Sequence, residues 1–332
     1  MKRNILLLFT FFACITVQGQ TPVRLVDLRS EHLDRPIGLD NPVPRLSWRM
    51  EDGRQGAVQT SWRIVVDEDS LNVVNGCGRM WDSGKNDSRN LLVAYAGKKL
   101  QPFTRYYWKV ICSDMEYKET ASPVSYFETG IMGMQHWQGA WIGDGKDIHY
   151  GPAPYFRKEF KTGKKVKSAR AYIAAAGLYE LYINGEKIGD HCLAPLYTRF
   201  DRRNLYVTYD VTSQLQNGDN AIGVLLGNGW YNHQSKAVWD FDRAPWRNRP
   251  AFCLDLRITY TDGSVETIPT DLSWRTASGA ITFNSIYTGE HYDARLEQKG
   301  WSTPEFDDSK WRGVAYRSVP SSNVTAQQVH PI

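Results

Sequence analysis

The chain has 332 residues, 42% apolar and 23% charged, an ordinary globular composition that excludes wholesale disorder and a coiled coil and leaves room for two or three domains. The formal net charge is +4, from 40 Lys and Arg against 36 Asp and Glu interspersed along the chain, so the basic stripe of a nucleic-acid binder is missing and that class is rejected. Aromatic residues reach 13%, with 12 Trp and 18 Tyr, which suits half-buried β surfaces and sugar-binding faces alike.

Lys2 and Arg3 precede an apolar run from Ile5 to Val17, followed by Gln18, Gly19 and Gln20. This order reads as a secretory signal peptide over residues 1–20, whose loss lowers the formal charge by two. The run is too short to span a bilayer, and no later stretch reaches the roughly 18 apolar residues that a membrane helix needs. The mature chain is therefore expected to be exported, periplasmic or extracellular, with no membrane partner. Cys14 offers a degenerate lipoprotein cleavage site, but the apolar residues after it favour cleavage near Gln20, so lipid anchoring ranks second. Cys77, Cys112, Cys192 and Cys253 are widely spaced, without C-x-x-C or zinc-finger spacing. Free, buried thiols are favoured over a disulfide, since a chain this long can build its core without one.

From residue 21 to about 130 the chain runs as short apolar or alternating segments, among them RLSWRM, QTSWRIVVD, LLVAYAG, RYYWKVICSD and SYFETG, punctuated by Gly, Pro, Asn and Asp. These predict the strands of a sandwich. Leu100, Pro102, Thr104 and Tyr106 resemble the L-x-P-x-T-x-Y turn of fibronectin type III domains, a device related to the tyrosine corner of immunoglobulin domains. Trp48, Trp62, Trp81 and Trp108 then belong mostly to the core.

Gly130 to Gly139 holds no strand pattern and marks a boundary. Over 135–318 a second set of strand-like segments follows, with Asn184-Gly185 and Asp262-Gly263 as explicit hairpin turns and a single helical turn at Ser213 to Leu215. The fold class expected is all-β: a fibronectin type III-like sandwich followed by a jelly-roll-like β-sandwich, with residues 319–332 starting a linker.

Several long motifs occur in order. LRSEHLDRPIGLDNPVPRLSWRM, WDSGK and RYYWKV resemble the first, fibronectin-like domain of bacterial α-L-rhamnosidases. GLYELYINGEKIGD, LAPLYTRFDRRNLYVTYDVT, LLGNGWYN and YTGEHYDARLE resemble the second, non-catalytic N-terminal domain of the same enzymes. The resemblance implies a secreted glycoside hydrolase that inverts at terminal α-L-rhamnose of plant glycans. It also implies that the acid and base lie in a downstream (α/α)6 barrel. No succession of amphipathic helices here matches that barrel, so the chain is expected to be an N-terminal fragment or truncated product, inactive alone. No catalytic residue carries over, and the partners implied are a rhamnose-containing plant glycan and the catalytic domain of a longer chain.

Glycoside hydrolysis needs two carboxyl groups flanking the scissile bond. Asp307 and Asp308 are adjacent and diverge, and FDDSKW resembles a structural closing motif. Glu290, Tyr292, Asp293 and Arg295, in GEHYDAR, are expected at a domain interface, with the carboxylates ionised beside the guanidinium. The stretch Gly227 to Pro250 has no regular period and reads as a long loop. Its Trp230, Tyr231, Trp239, Asp240, Asp242, Trp246 and Arg247 combine aromatic faces with polar groups, as a carbohydrate site requires. The competing reading folds the three tryptophans inward as anchors. No cofactor is required; calcium is the one cofactor the residues allow, through Asp219, Asn220, Asp240 and Asp242. His191, His233 and His291 are expected in ordinary hydrogen-bonding roles. Two further readings stay open: a stand-alone carbohydrate-binding module, and the sugar-binding region of a β-galactosidase-like enzyme suggested by YINGEKIG and YDVT.

Overall fold

The computed structural model describes residues 22–234 and 238–329; the leader expected over residues 1–20 lies outside them. Strands carry nearly all of the regular structure, and they build two successive sandwiches. In the first, a three-stranded sheet orders Arg24–Ser30, Arg45–Glu51 and Leu92–Ala94. It faces a sheet whose path runs Ile37–Leu39, Ser125–Thr129, Arg105–Ser113, Ser61–Asp67 and Trp81–Asp82, with Glu119–Ala121 added beside Arg105–Ser113.

Alternation decides which side chains meet between these sheets. Along Arg105–Ser113, Tyr106, Trp108, Val110 and Cys112 point inward and pack with Leu46, Trp48, Ile64, Val66 and Phe127. Each fully buried aliphatic or aromatic side chain of this kind contributes about 1.5–3 kcal/mol. Trp48, Trp62 and Trp108 are core residues, and Trp81 packs partly buried against them. The Tyr106 hydroxyl accepts the N–H of Gln101 at 2.8 Å, tying the strand back to the turn before it as the L-x-P-x-T-x-Y pattern predicts. The short helix Ser70–Val74, which the sequence reading omitted, is capped by Asp69 accepting from the N–H of Leu71.

The second sandwich pairs a seven-stranded with a six-stranded sheet. The first follows Ala315–Tyr316, Ile142–Gly143, Ala251–Tyr260, Val166–Ala176, Asn204–Asp210 and Val324–Ala326, with Val265–Pro269 on Ala251–Tyr260. The second follows Glu186–Lys187, Leu178–Ile183, Gly218–Gly227, Pro154–Thr162, Arg275–Ser278 and Arg312–Gly313. Between them lie Ala171, Ile173, Leu181, Val224, Leu254 and Trp274, among others. Asn184 and Gly185 both take left-handed backbone angles, φ 51° and 87°, as a two-residue hairpin turn demands. The helical turn falls at Thr212–Gln214. Val324–Ala326, inside the stretch expected to begin a linker, instead pairs in parallel with Asn204–Asp210.

The seven-stranded sheet is covered on both faces, which explains why ARAYIAAA is a nearly unbroken apolar run. Its outer face gathers Tyr172, Ala174, Ala176, Tyr206 and Cys253 with Ile131, Trp141, Phe200 and Tyr231. The irregular Gly130 to Gly139 segment is thus a packed cover over this sheet. Asp255, whose carboxyl is pushed up by burial, accepts the N–H groups of Gln138 and Gly139 there.

The joint between the sandwiches is polar, and its central carboxylates are fully engaged. Glu128 of the first takes the buried Arg170 guanidinium bidentately, at 2.7 and 3.0 Å, and also bonds Arg105. Asp40 accepts the Tyr206 hydroxyl and the N–H groups of Met132 and Ala326. Gly38, at φ 84°, lies so close to Thr208 that a Cβ would come within 2.1 Å of its hydroxyl oxygen; only glycine permits that approach.

Candidate carbohydrate-binding site

In the segment joining Gly218–Gly227 to Ala251–Tyr260, the described residues 228–234 and 238–250 run irregularly apart from a 3-10 turn at Val238–Arg243, and polar side chains brace them. At its start, buried Asn228 donates to the carbonyl of Asn284 at 3.0 Å and gives its own N–H to the Asn284 side chain. Asn232 donates to the carbonyl of Ile148. At its end, buried Arg249 pairs with Asp144 at 2.6 Å and donates to the carbonyls of Tyr150 and Pro152. Arg247 spans the interior, from the Asn232 side chain at 3.2 Å to the carbonyl of Asp242 at 3.1 Å.

These braces gather aromatic side chains from three distant stretches. Tyr197 lies 5.6 Å from Trp230, 6.1 Å from Phe241 and 6.4 Å from Trp246, centroid to centroid. Tyr287 stacks near Phe241 at 6.5 Å and receives the Trp230 indole N–H at 3.2 Å. The Trp246 indole donates to the carbonyl of Trp230. Tyr197 and Tyr287 are exposed, whereas Trp230 and Trp246 are half-buried against the cluster on the outer face of the seven-stranded sheet. Trp239 stands apart at 77% exposure. It and Asp240 hold successive left-handed backbone angles, φ 81° and 52°, a strained arrangement for residues other than glycine.

The seven residues singled out in the loop thus separate by role. Trp239 and Asp240 face solvent, and Trp230 and Trp246 present an edge while anchoring the loop. Tyr231 is buried against Phe200, Arg247 is an internal brace, and Asp242 is half-buried. The outward and inward readings of the tryptophans each describe part of the loop. Sequence reasoning missed Tyr197, Phe241 and Tyr287. Two of them lie far away in sequence, and the only local signal is an aromatic residue in an irregular stretch.

Beside this cluster runs a cleft of about 510 Å³ with Leu178, Leu193, Ile281 and Ile286 on its walls and Glu180, Lys187 and Glu290 at its polar edge. The hairpin Ile281–Ser285 with Gly289–Tyr292 forms one side. Glu290, Tyr292 and Arg295 are exposed on or just beyond it, away from the joint built by Glu128, Arg170, Asp40 and Tyr206. Arg295 pairs with Asp293 at 2.6 Å and holds its carboxyl below the usual range. Tyr292 donates to Glu297, which pushes the phenol up to about 12. Cys192 is exposed in the cleft and Cys77 elsewhere, while Cys112 and Cys253 are buried; the four are free, but only two are core thiols.

Asp308 does take a structural role: it pairs with the fully buried Arg157, which also bonds the carbonyls of Trp301 and Thr303, while Asp307 caps the N–H of Ser309. His191 bonds Tyr209, and burial lowers its imidazole; burial lowers buried His233 too, whose ring meets Tyr287 edge-on. His291 packs on Phe283. The four residues considered for calcium are not brought together. Asp219 and Asn220 sit at the first end of Gly218–Gly227 and the loop leaves from the other, about 30 Å along a strand of ten residues. Asn220 is occupied by Asn184, Gln216 and Gly218. No cluster of three or more His, Cys, Asp or Glu side chains suited to a metal occurs among the described residues.

What the arrangement offers chemically is apolar ring faces beside hydroxyl-bonding groups at a cleft edge. Comparison with known proteins gives it a context. The profile of the α-L-rhamnosidase N-terminal domain matches residues 164–332, and that of the Rha78A-like, N-terminal immunoglobulin domain matches residues 25–133. The chain belongs to the α-L-rhamnosidase N-terminal domain family. An α-L-rhamnosidase of Formosa agariphila is 33% identical over 99% of this chain, and one of an Alteromonas species is 32% identical over 84%. The chain spans 38% and 31% of those two relatives. An α-L-rhamnosidase structure from Dictyoglumus thermophilum superposes with a TM-score of 0.85 at 37% identity, covering 93% of this chain and 35% of that one. The enzyme structure from Aspergillus terreus gives 0.82 at 30% identity, covering 92% and 35%. Both sandwiches are accounted for together, which the β-galactosidase-like reading did not achieve.

Proposed function

We propose that this chain is the non-catalytic N-terminal part of a secreted α-L-rhamnosidase acting on terminal α-L-rhamnose of plant glycans, and that it supports or orients the substrate for a catalytic domain. The fibronectin-like unit over 21–130 is its spacer, and the jelly-roll-like unit beginning at 135 carries the sugar. The observation behind this reading is the braced aromatic cluster of Tyr197, Trp230, Phe241, Trp246 and Tyr287, next in sequence to the cleft-lining Gly229 and Ile286, with Trp239 exposed in the same loop. Aromatic faces of this kind stack on the apolar faces of a sugar ring. The exposed hairpin with Glu290, Tyr292, Asp293 and Arg295 is the surface on which the catalytic domain would dock. The same cluster supports the second reading, a carbohydrate-binding module that works without it.

Titration of the chain with rhamnose oligosaccharides, followed by tryptophan fluorescence, tests the site. Trp239→Ala and Trp246→Ala are expected to weaken binding by roughly tenfold each. Because Trp239 is solvent-facing, its variant keeps the fold. Unchanged affinity in both variants, with unchanged circular dichroism, contradicts the site.

A further inference from the structure

A second cleft, of about 430 Å³, lies at the joint between the sandwiches and plays no part in the site above. Its floor is the outer face of the seven-stranded sheet, where Arg170 and Arg257 are direct cross-strand partners. Like charges placed opposite one another on a sheet repel, so each needs an anion. Arg170 has two, Glu128 bidentately and Asp210 at 2.9 Å, and it also donates to the carbonyl of Ala169. Glu128 is then fully used, since Arg105 also bonds it, at 3.1 Å. Arg257 has none. Its guanidinium rests 4.5 Å above the Phe103 ring and lines the cleft.

Lys167, exposed at the rim, likewise has no carboxylate within ion-pair distance among the described residues. Glu68 is the remaining acidic lining group, and it is exposed. Tyr107 supplies an aromatic wall, and Ser168 and Thr259, paired across the strands, supply hydroxyls. Two cations without an ion pair among the described residues, one held by a ring, together with hydroxyls and a phenol, match a polyhydroxylated ligand that bears one anionic group.

We propose that this interdomain cleft binds an acidic sugar unit, its anionic group held by Arg257 and Lys167 and its ring set against Tyr107. The saccharide half of this assignment rests on the carbohydrate-binding reading above; the anionic half rests on the charges alone. Its consequence is a second, separate sugar contact, for an acidic residue at the joint, beside the neutral one proposed for the loop.

The test is calorimetric titration of the whole chain with methyl β-D-glucuronide, with methyl β-D-glucoside as the neutral counterpart. Glucose 6-sulfate distinguishes a carboxylate from a sulfate ester, and inorganic sulfate shows what charge alone achieves. The glucuronide or the sulfate ester is expected to bind roughly tenfold tighter than the glucoside, with an affinity that falls as salt rises. Arg257→Gln and Lys167→Gln are expected to remove that preference, and the first should fold normally because Arg257 has no ion pair to lose. Trp239→Ala should leave it untouched, so failure here is distinguishable from failure of the loop site. Equal binding of glucuronide, sulfate ester and glucoside, or an Arg257→Gln variant that keeps the preference, overturns the proposal; inorganic sulfate binding as tightly as the acidic sugars overturns its saccharide half.

Discussion

Asp67 shows how a single buried carboxylate ties stability to pH in this molecule. It accepts the N–H groups of Asp69 and Arg79, the Asn72 amide, and two nitrogens of the Arg79 guanidinium. The Arg79 hydrogen bonds, ahead of the other contacts, hold its carboxyl well below the ordinary range despite burial. A carboxylate depressed in the folded state stabilises fully above the unfolded value of about 3.9, and that contribution drains away as pH falls further. Asp67→Asn is expected to cost about 2 kcal/mol at pH 7. In thermal melts, the gap between variant and parent should narrow as pH drops from 5 to 2; a gap that stays constant contradicts the assignment. Trp239 is the opposite case, a large side chain left exposed to solvent.

Among elements, the loop and the joint do different things with the same ingredients. In the loop, Asn228, Asn232, Arg247 and Arg249 use their hydrogen bonds inward so that aromatic faces can point outward. At the joint, Glu128 and Arg170 close upon each other, and breaking such a buried pair costs about 3–5 kcal/mol because one charge is left uncompensated. Glu128→Gln is therefore expected to loosen the sandwiches from each other before either unfolds. Limited proteolysis within residues 130–139 reads this directly: cleavage should be faster in the variant, and an unchanged rate contradicts the role given to the pair. The elements most legible in the sequence were those set by local chemistry. Asn184-Gly185 fixes a turn through two left-handed residues, and Tyr106 reaches a partner five residues back. Val324–Ala326 was missed because three residues give no period, and their partner strand lies more than a hundred residues earlier. Tyr197 and Tyr287 were missed for the same reason, since only tertiary packing brings them to Trp230.

At the scale of the molecule, two sandwiches locked through Asp40 and Glu128 form a platform with an aromatic cluster beside one cleft and, at another, two cations that make no ion pair among the described residues. The all-β order of segments and the family itself were legible from motifs. The burial of both faces of the seven-stranded sheet was not, because its outer cover comes from Gly130 to Gly139, a stretch that shows no strand pattern. The role proposed for the whole chain is to bind sugar without cleaving it. The most direct measurement is hydrolysis of an aryl α-L-rhamnoside by the purified chain, at concentrations that saturate rhamnose-oligosaccharide binding. The account predicts binding with no release of the aryl group above background. Release that scales with protein concentration would contradict it.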